Sequence, residues 1–525
     1  MQTYQSLWVR SMNRIFGGSL SSSAPTRRPR GTRKGRRLVM ESLERRVVFA
    51  GIEFDSLTAL GNGVDSTATS AVDTDQVGNA YVTGRFAGVV DFDPSSIRTD
   101  GSDTLTARGR GDIYVAKYTP SGSLAWVLQF GGDDTDTTIL NYIDTGTDIK
   151  VDTTGNIYIG GTFTSSGSFG SQTLVSMGPQ DSFVAKLNSN GVVQWARRMG
   201  TSAADTFVGL DVDASGNLLA ASEFVGGTLT IEKWGASGSA IWSKTVAAQS
   251  ALAQDSDLVV DKAGNVYVTG NFNGVYVSGT YNGNVDFDPS NKVKNAYSFN
   301  PSNGTGFVMS LDAKGSFRWV SPFRSQNSYS VARPGSLAID KVGNVIVGGY
   351  RVGQIDFQAS SATYLLPSPT GGFVASLHPS TGFLNWAKSF DTAYSVEGGT
   401  VYVEDIDIDS FGNMYVAGAF SGTADFDPSS AITSRSPVAS ESPVARSDAY
   451  YLKLSAAGDL LWVETLGGVG SELIGGISVD RTGGIHVVGS LSQNTAVDFN
   501  SDPLITNEIT SGTKNRGFRM RVRQV

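Results

Sequence analysis

One short phrase, written seven times, constrains this chain more than anything else in it. The pattern D-x-x-G-[NG] recurs as TDQVGNAYVTG (74–84), VDTTGNIYIGG (151–161), VDASGNLLAAS (212–222), VDKAGNVYVTG (260–270), IDKVGNVIVGG (339–349), IDSFGNMYVAG (408–418) and VDRTGGIHVVG (479–489). Each copy reads as a β-hairpin. Asp suits the first position of a tight turn, because its carboxylate accepts a backbone N–H two residues on, and Gly supplies the positive φ that closes the turn. Alternating apolar and β-branched residues on both sides read as strands.

A further strand pair follows each hairpin. The third strand appears as DIYVAKYTPSG (112–122), DSFVAKLNSNG (181–191), TLTIEKWGASG (228–238), GFVMSLDAKG (306–315), GFVASLHPSTG (372–382), DAYYLKLSAAG (448–458) and RGFRMRVRQV (516–525). The fourth strand carries one tryptophan at a fixed place: Trp126, Trp195, Trp242, Trp319, Trp386 and Trp462. Repeated four-stranded antiparallel units of this size are blades of a β-propeller. The expected fold is therefore all-β and seven-bladed, with a basic leader at 1–50. The blades fall at about 66–132, 144–200, 204–247, 254–324, 332–391, 401–468 and 472–525. The seventh unit stops after its third strand. The segment GIEFDSLTALGNG (51–63) resembles the end of the sixth unit, WVETLGGVG (462–470). Residues 51–62 are thus expected to complete the last blade and remove two open sheet edges at once.

The D-x-x-G-N-x-Y-V-x-G-x-F hairpin, with its Lys-Leu and Gly-x-x-x-W strands downstream, resembles the bacterial SBBP beta-propeller repeat family over nearly all of residues 51–525. The resemblance implies a fold and no shared enzymatic activity.

Composition narrows the setting. Cysteine is absent, so there is no disulfide framework, thiolate metal site or cysteine nucleophile, and two histidines cannot build a multi-histidine metal centre. The net charge of −8 hides an asymmetry: residues 1–50 hold eleven Lys/Arg against two Glu, leaving 30 basic and 47 acidic residues beyond them. So acidic a body is a poor surface for nucleic acid, which excludes that partner class. The basic arm reads as a disordered leader, with contact to anionic polymers as the alternative. No stretch reaches the ~18 apolar residues that span a bilayer. The segment LVMESLERRVVFA (38–50) resembles the L-E-x-R-x-x-x-A type N-terminal motif of exported planctomycete proteins, which implies export or surface sorting. The chain lacks the apolar run of an ordinary signal peptide.

A second phrase raises the question of metal. VDFDPS stands at 90–95 and again at 285–290, with ADFDPSS at 424–430. If the strand runs through the phrase, Asp91 and Asp93 share one face about 7 Å apart, as do Asp286 with Asp288 and Asp425 with Asp427. Two carboxylates on one face, followed by oxygen-rich loops, suit a weak structural calcium site. The competing reading is a packed corner, with the aromatic ring inside and the acids capping turns. Within the chain the acids drift while the ring persists: IDFQAS (355–360), VDFN (497–500) and GSFGS (167–171) keep Phe357, Phe499 and Phe169. That contrast favours the corner.

No catalytic constellation stands out, and no cofactor is required. His486 sits where other repeats have tyrosine and reads as a strand-core residue, while His378 lies in a turn and reads as solvated. There is no nucleophile elbow, P-loop or dinucleotide fingerprint. The fourth-strand phrases LHPSTGFLNW and LDAKGSFRW resemble the repeats of quinoprotein dehydrogenases, but the adjacent cysteines many of those enzymes use cannot occur here. SLDAKGSFRW also approaches the sialidase Asp-box with its Asp-to-Gly spacing one residue too long. One tryptophan per blade reads as a structural slot rather than a sugar-stacking platform. The expected function is a non-enzymatic, monomeric propeller, exported or at the cell surface, binding protein or polysaccharide. The alternative is a glycosidase or polysaccharide lyase using central carboxylates.

Overall fold

The chain divides into two units, Met1–Phe49 and Ala50–Val525. The computed structural model describes residues 52–524 apart from short segments at 62, 95–99, 133–142, 225–226, 247–255, 273–274, 278–279, 291, 299–303, 328, 359, 369, 393–398, 439–446 and 500–505; of the side chains at 273–282 nothing is said. The expected leader and the L-E-x-R segment at 38–50 lie outside the described residues.

Seven four-stranded antiparallel sheets follow one another, as the repeats require; the fifth is extended by a short hairpin. Their innermost strands are Thr67–Thr74, Thr145–Val151, Thr206–Val212, Asp257–Val260, Val331–Ile339, Thr400–Ile408 and Glu472–Val479. The first six blades run outward in chain order, each from its innermost strand through two middle strands to the strand that bears the tryptophan. The seventh takes its outer strand from the other end of the chain: Ile52–Ala59 pairs antiparallel with Arg516–Gln524, Ile52 opposite Gln524 and Ala59 opposite Phe518. The ring therefore closes within a sheet, as the orphan N-terminal segment implied.

The repeated turn works as its chemistry suggests. In the first blade Asp75 Oδ1 accepts the N–H of Val77 at 3.1 Å and of Asn79 at 2.9 Å, and Gly78 takes φ +86°. Asp75 Oδ2 then accepts from the Asn79 amide at 2.6 Å and the Tyr81 hydroxyl at 3.1 Å. The Asn and Tyr that follow the turn glycine are thus part of one carboxylate-centred knot, repeated around Asp152, Asp261 and Asp409. In the seventh blade His486 replaces the tyrosine. It is fully buried, its Nε2 lies 3.1 Å from Asp480 Oδ2, and its Nδ1 lies 3.2 Å from the Arg519 guanidinium. Arg519 can only donate, so Nδ1 accepts and the imidazole is neutral. Burial pushes its pKa down to about 4. His378 is exposed in its turn, as expected.

Between blades the core is continuous. Phe207 of the third blade packs where Gly160 of the second has no side chain; a Cβ there would lie 2.1 Å from the ring. The tryptophans bind each blade to the next. The indole N–H groups of Trp195, Trp242 and Trp319 donate to Ala236, Ala313 and Pro379 carbonyls, in the turn between third and outer strands of the following blade, at 3.1, 3.2 and 2.9 Å. These three occupy a structural slot between blades.

Candidate functional site

The side chains around the propeller axis are set by two positions in each innermost strand. Counting back from the turn aspartate, the residue two places earlier gives Asp73, Lys150, Asp211, Val259, Ala338, Asp407 and Ser478 around the ring. The residue four places earlier gives Ala71, Asp148, Gly209, Asp257, Ser336, Asp405 and Gly476. Period two places both sets on one face of the strand. In six blades a β-bulge falls just before the second set, at Ser70, Thr147, Val208, Gly335, Glu404 and Gly475. The extra residue turns inward as well, and all six line the axial cavity of about 300 Å³. The axis is thus ringed by six aspartates and one lysine from these two sets, with Glu404 from a bulge.

Each of these aspartates straps its blade to the next. One carboxylate oxygen caps the following N–H of its own strand, and the other crosses the blade junction. Asp73 accepts from Val151 N at 2.6 Å, Asp148 from Leu210 N at 2.9 Å, Asp211 from Val260 N at 2.7 Å and Asp257 from Leu337 N at 2.8 Å. Asp405 and Asp407 both cross from the sixth blade to the seventh, to Ile477 N and Val479 N at 2.8 and 2.7 Å. The two remaining junctions use hydroxyls: Ser336 Oγ reaches Asp405 Oδ1 at 3.4 Å, and Thr74 and Ser478 meet at 3.2 Å.

The carboxylates are half-buried; all but Asp211 line the axial cavity, and Asp211 lines an adjoining one with Asp73 and Lys150. Burial raises the pKa of Asp73 to about 7, of Asp257 to about 8 and of Asp405 to about 6, and lifts Asp148, Asp211 and Asp407 as well. Burial alone would lower Lys150, but the surrounding Asp148, Asp73, Asp211 and Asp257 outweigh it and hold the ammonium charged. Both oxygens of every axial aspartate already accept backbone N–H groups, so the acids are committed to joining blades. Sequence reasoning missed this ring. The signal was present as the acids two and four residues before the turn aspartate.

The six aspartates of the VDFDP phrases are not at the axis. Their strands end at the first acid, Val89–Asp91, Asn284–Asp286 and Ala424–Asp425. The expectation of two acids on one face of a continuing strand is corrected accordingly. The chain turns at the phenylalanine, and the N–H of Asp93, Asp288 or Asp427 bonds back to Oδ1 of Asp91, Asp286 or Asp425 at 2.9, 3.1 and 3.1 Å. In two copies the same oxygen also takes a second N–H, from Lys294 at 2.7 Å and from Thr433 at 2.8 Å. Asp356 of the fifth blade does likewise with Gln358 and Tyr364, without a second acid. Among the described residues no group of three or more His, Asp or Glu is placed to hold a metal ion.

The phrase instead splices blades on the face opposite the turns. Gly61 N donates to Asp91 O at 2.7 Å, Gly131 bridges Ser168, Arg324 pairs with Asp356, Asp391 with Asp425, and Gly468 bridges Val497. In each case the end of one blade's outer strand meets the phrase of the next blade. The phenylalanine seals that splice: Phe92, Phe169, Phe287, Phe357, Phe426 and Phe499 are buried. Phe169, Phe357 and Phe426 also pack against Phe130, Phe323 and Phe390 of the preceding outer strand, with ring centroids 5.6, 5.2 and 6.1 Å apart.

Fold and site together define a seven-bladed β-propeller repeat protein. The SBBP family model, described as "Beta-propeller repeat", matches residues 241–276, the outer strand of the third blade and the first hairpin of the fourth. An uncharacterized WD repeat-containing protein of Acanthamoeba polyphaga mimivirus is 26% identical over 184 residues, which is 31% of this chain and 13% of that protein. Among solved structures, a catalytically inactive virginiamycin B lyase from Staphylococcus aureus with quinupristin aligns at TM-score 0.41 and 6% identity, over 90% of this chain and 99% of that one. The Pan2 WD40 domain of Neurospora crassa aligns at TM-score 0.38 and 8% identity, over 86% and 89%.

Proposed function

We propose that this protein is a non-enzymatic scaffold, exported or held at the cell surface, whose rigid ring presents loops and edges for binding protein or polysaccharide. One observation carries the reading. Each of the six axial aspartates has both oxygens occupied by backbone N–H groups, one in its own strand and one in the neighbouring blade. A carboxylate used in this way is a structural acceptor, and freeing it would loosen the ring. No helix among the described residues is long and apolar enough to cross a membrane. The basic leader with its L-E-x-R segment supports export. Incubating the full chain with a glycan and peptide panel, and scoring binding and turnover separately, tests the proposal. Binding without product is expected. Turnover abolished by Asp→Asn at a single axial position would replace the scaffold with a carbohydrate-active enzyme.

A further inference from the structure

The outer edges of the blades are not alike. In most blades the connection between second and third strands is expanded into a hairpin, such as Val89–Asp91 with Thr104–Thr106 or Ser166–Phe169 with Gln172–Val175. These hairpins fold back over the outer strand of their own blade and satisfy its open edge. Gln172 Oε1 accepts Ala196 N at 3.2 Å in the second blade, and the Tyr364 hydroxyl donates to Ala387 O at 3.3 Å in the fifth. The Arg435 guanidinium donates to Val463 O at 3.1 Å in the sixth. Each contact spares a main-chain group that would otherwise stand open at a sheet edge.

The third blade has no such hairpin. Its second strand ends at Phe224 and its third begins at Thr228, so nothing is inserted to fold back. Its outer strand Ala240–Val246 is exposed at Ala240, Ile241, Ser243 and Thr245, four of seven residues. No other outer strand exposes more than one. The inward side of the strand is pinned. Trp242 bonds to Ala313 O of the fourth blade, and the Lys244 stem lies over Gly315, where a Cβ would meet its Cε at 2.8 Å. The edge carries a bulge at Ile241, is pinned from behind at Trp242 and Lys244, and leaves Ala240, Ile241, Ser243 and Thr245 exposed.

We propose that Ala240–Val246 is a docking edge for an extended, acidic peptide strand of a partner protein, which adds as a fifth strand to the third blade. The proposal rests on the scaffold reading and names where and what it binds. Main-chain pairing supplies the contact at such an edge, and side chains select the partner. The charge argument selects acid. Lys244 is the only charged residue of the strand, and the exposed Lys314 stands in the turn it rests on. The neighbouring acids are otherwise engaged: Asp312 caps Lys314 N and Ser316 N, and Glu232 is bonded to Ser243 within the blade. Two copies pairing edge to edge would bring two Lys244 strands together with no acid between them, which disfavours self-association.

The test uses the full chain and three synthetic probes: an octapeptide alternating Val/Thr with Glu, the same peptide with Lys for Glu, and the Glu peptide N-methylated at alternate residues. Binding is read by anisotropy, and the site by hydrogen exchange of amides 240–246. The Glu peptide is expected to protect that edge and to bind about tenfold tighter than the Lys peptide at low salt, with the gap closing at high salt. The N-methylated peptide should fail. Lys244→Glu should reverse the preference, and Lys244→Met, which keeps the stem over Gly315, should abolish it. Peptide binding with no protection at 240–246 overturns the docking edge and leaves the scaffold reading standing. Protection at 240–246 in a dimer without peptide assigns the edge to a second copy and overturns the partner proposed here. Glycan turnover with no binding of any probe overturns both readings.

Discussion

At the residue scale the consequential groups are the axial acids and the one lysine among them. A carboxyl whose pKa is raised on folding holds its proton more tightly in the native state. Its contribution is complete below the unfolded value near 4 and is lost as pH rises through the folded value. For Asp257 that loss runs from about 4 and is complete at about 8, and for Asp73 it is complete at about 7. His486 works in the opposite sense and lower down, being buried neutral with its pKa pushed to about 4. Comparing Asp257→Asn with the wild type isolates the axial effect. The variant should melt below the parent at pH 5, because its amide nitrogen cannot accept the second backbone N–H, and the deficit should shrink at pH 9, because Asn carries no charge to confine. The same deficit at both pH values would refute the assignment. Lys150→Met should do the reverse, with little change at pH 5 and a lower melt at pH 9, where the acids lose their shared counter-charge. None of this was read from the sequence. The acids are spread over residues 73 to 407, and only ring closure brings them to one axis.

At the scale of the element, the same signal that made the strands legible misled about the acidic phrase. Period two is sound inside a strand, so the hairpins, the buried tyrosines and the tryptophan slot all followed from it. It fails where a strand stops, and here it stops at Asp91, Asp286 and Asp425, one residue before the phenylalanine. What persisted across copies, the ring, was the better guide. Phe287 packs against Phe272 and Phe307 with centroids 5.1 and 4.9 Å apart, so Phe287→Ala should cost about 3–5 kcal/mol in denaturant unfolding. Asp288→Asn should cost under ~1 kcal/mol, since the side chain sits at a turn on the surface. Millimolar calcium should leave the melt where EDTA leaves it; a calcium-specific rise lost in Asp286→Asn would establish the metal site instead. The tryptophans provide a second contrast. Trp319 donates to Pro379 O, and its change to Phe should cost about 1 kcal/mol for that bond beyond the loss of ring area. Trp462 faces the seventh blade, whose third strand Arg516–Gln524 and outer strand Ile52–Ala59 come from opposite ends of the described residues and share no connecting turn to accept its N–H. Its indole nitrogen is buried with no partner among the described residues. Trp462→Phe should therefore be the milder substitution, and an equal loss at both sites would mean the indole bonds do not matter.

At the scale of the whole molecule, everything depends on a ring that closes through a sheet. The closing strand Ile52–Ala59 covers the edge of Arg516–Gln524 and buries Leu57 and Ala59 against Phe518 and Met520. Charge reinforces the same seam. Arg521 joins Asp55 on the closing strand to Asp480 in the turn of the last blade, the second contact at 2.8 Å, and Arg523 pairs with Glu53 at 3.1 Å. Surface pairs such as the last are worth little alone. Arg521 is different, because it is largely buried and serves two carboxylates. Asp480, which it shares with His486, is held far below the usual carboxylate range by the bonds converging on it, His486 first among the partners. Removing residues 52–59 would open two sheet edges and uncover the core shared by the sixth and seventh blades. In a propeller each blade is buried by its neighbours, so the damage has no boundary at which to stop. A chain lacking residues 52–59 should therefore unfold in one transition at lower temperature or denaturant than the parent, with hydrogen exchange quickened in the first and sixth blades as well as the seventh. Loosening confined to Arg516–Gln524, with the parent's melting point retained, would mean that the blades stand independently and that closure is ornamental.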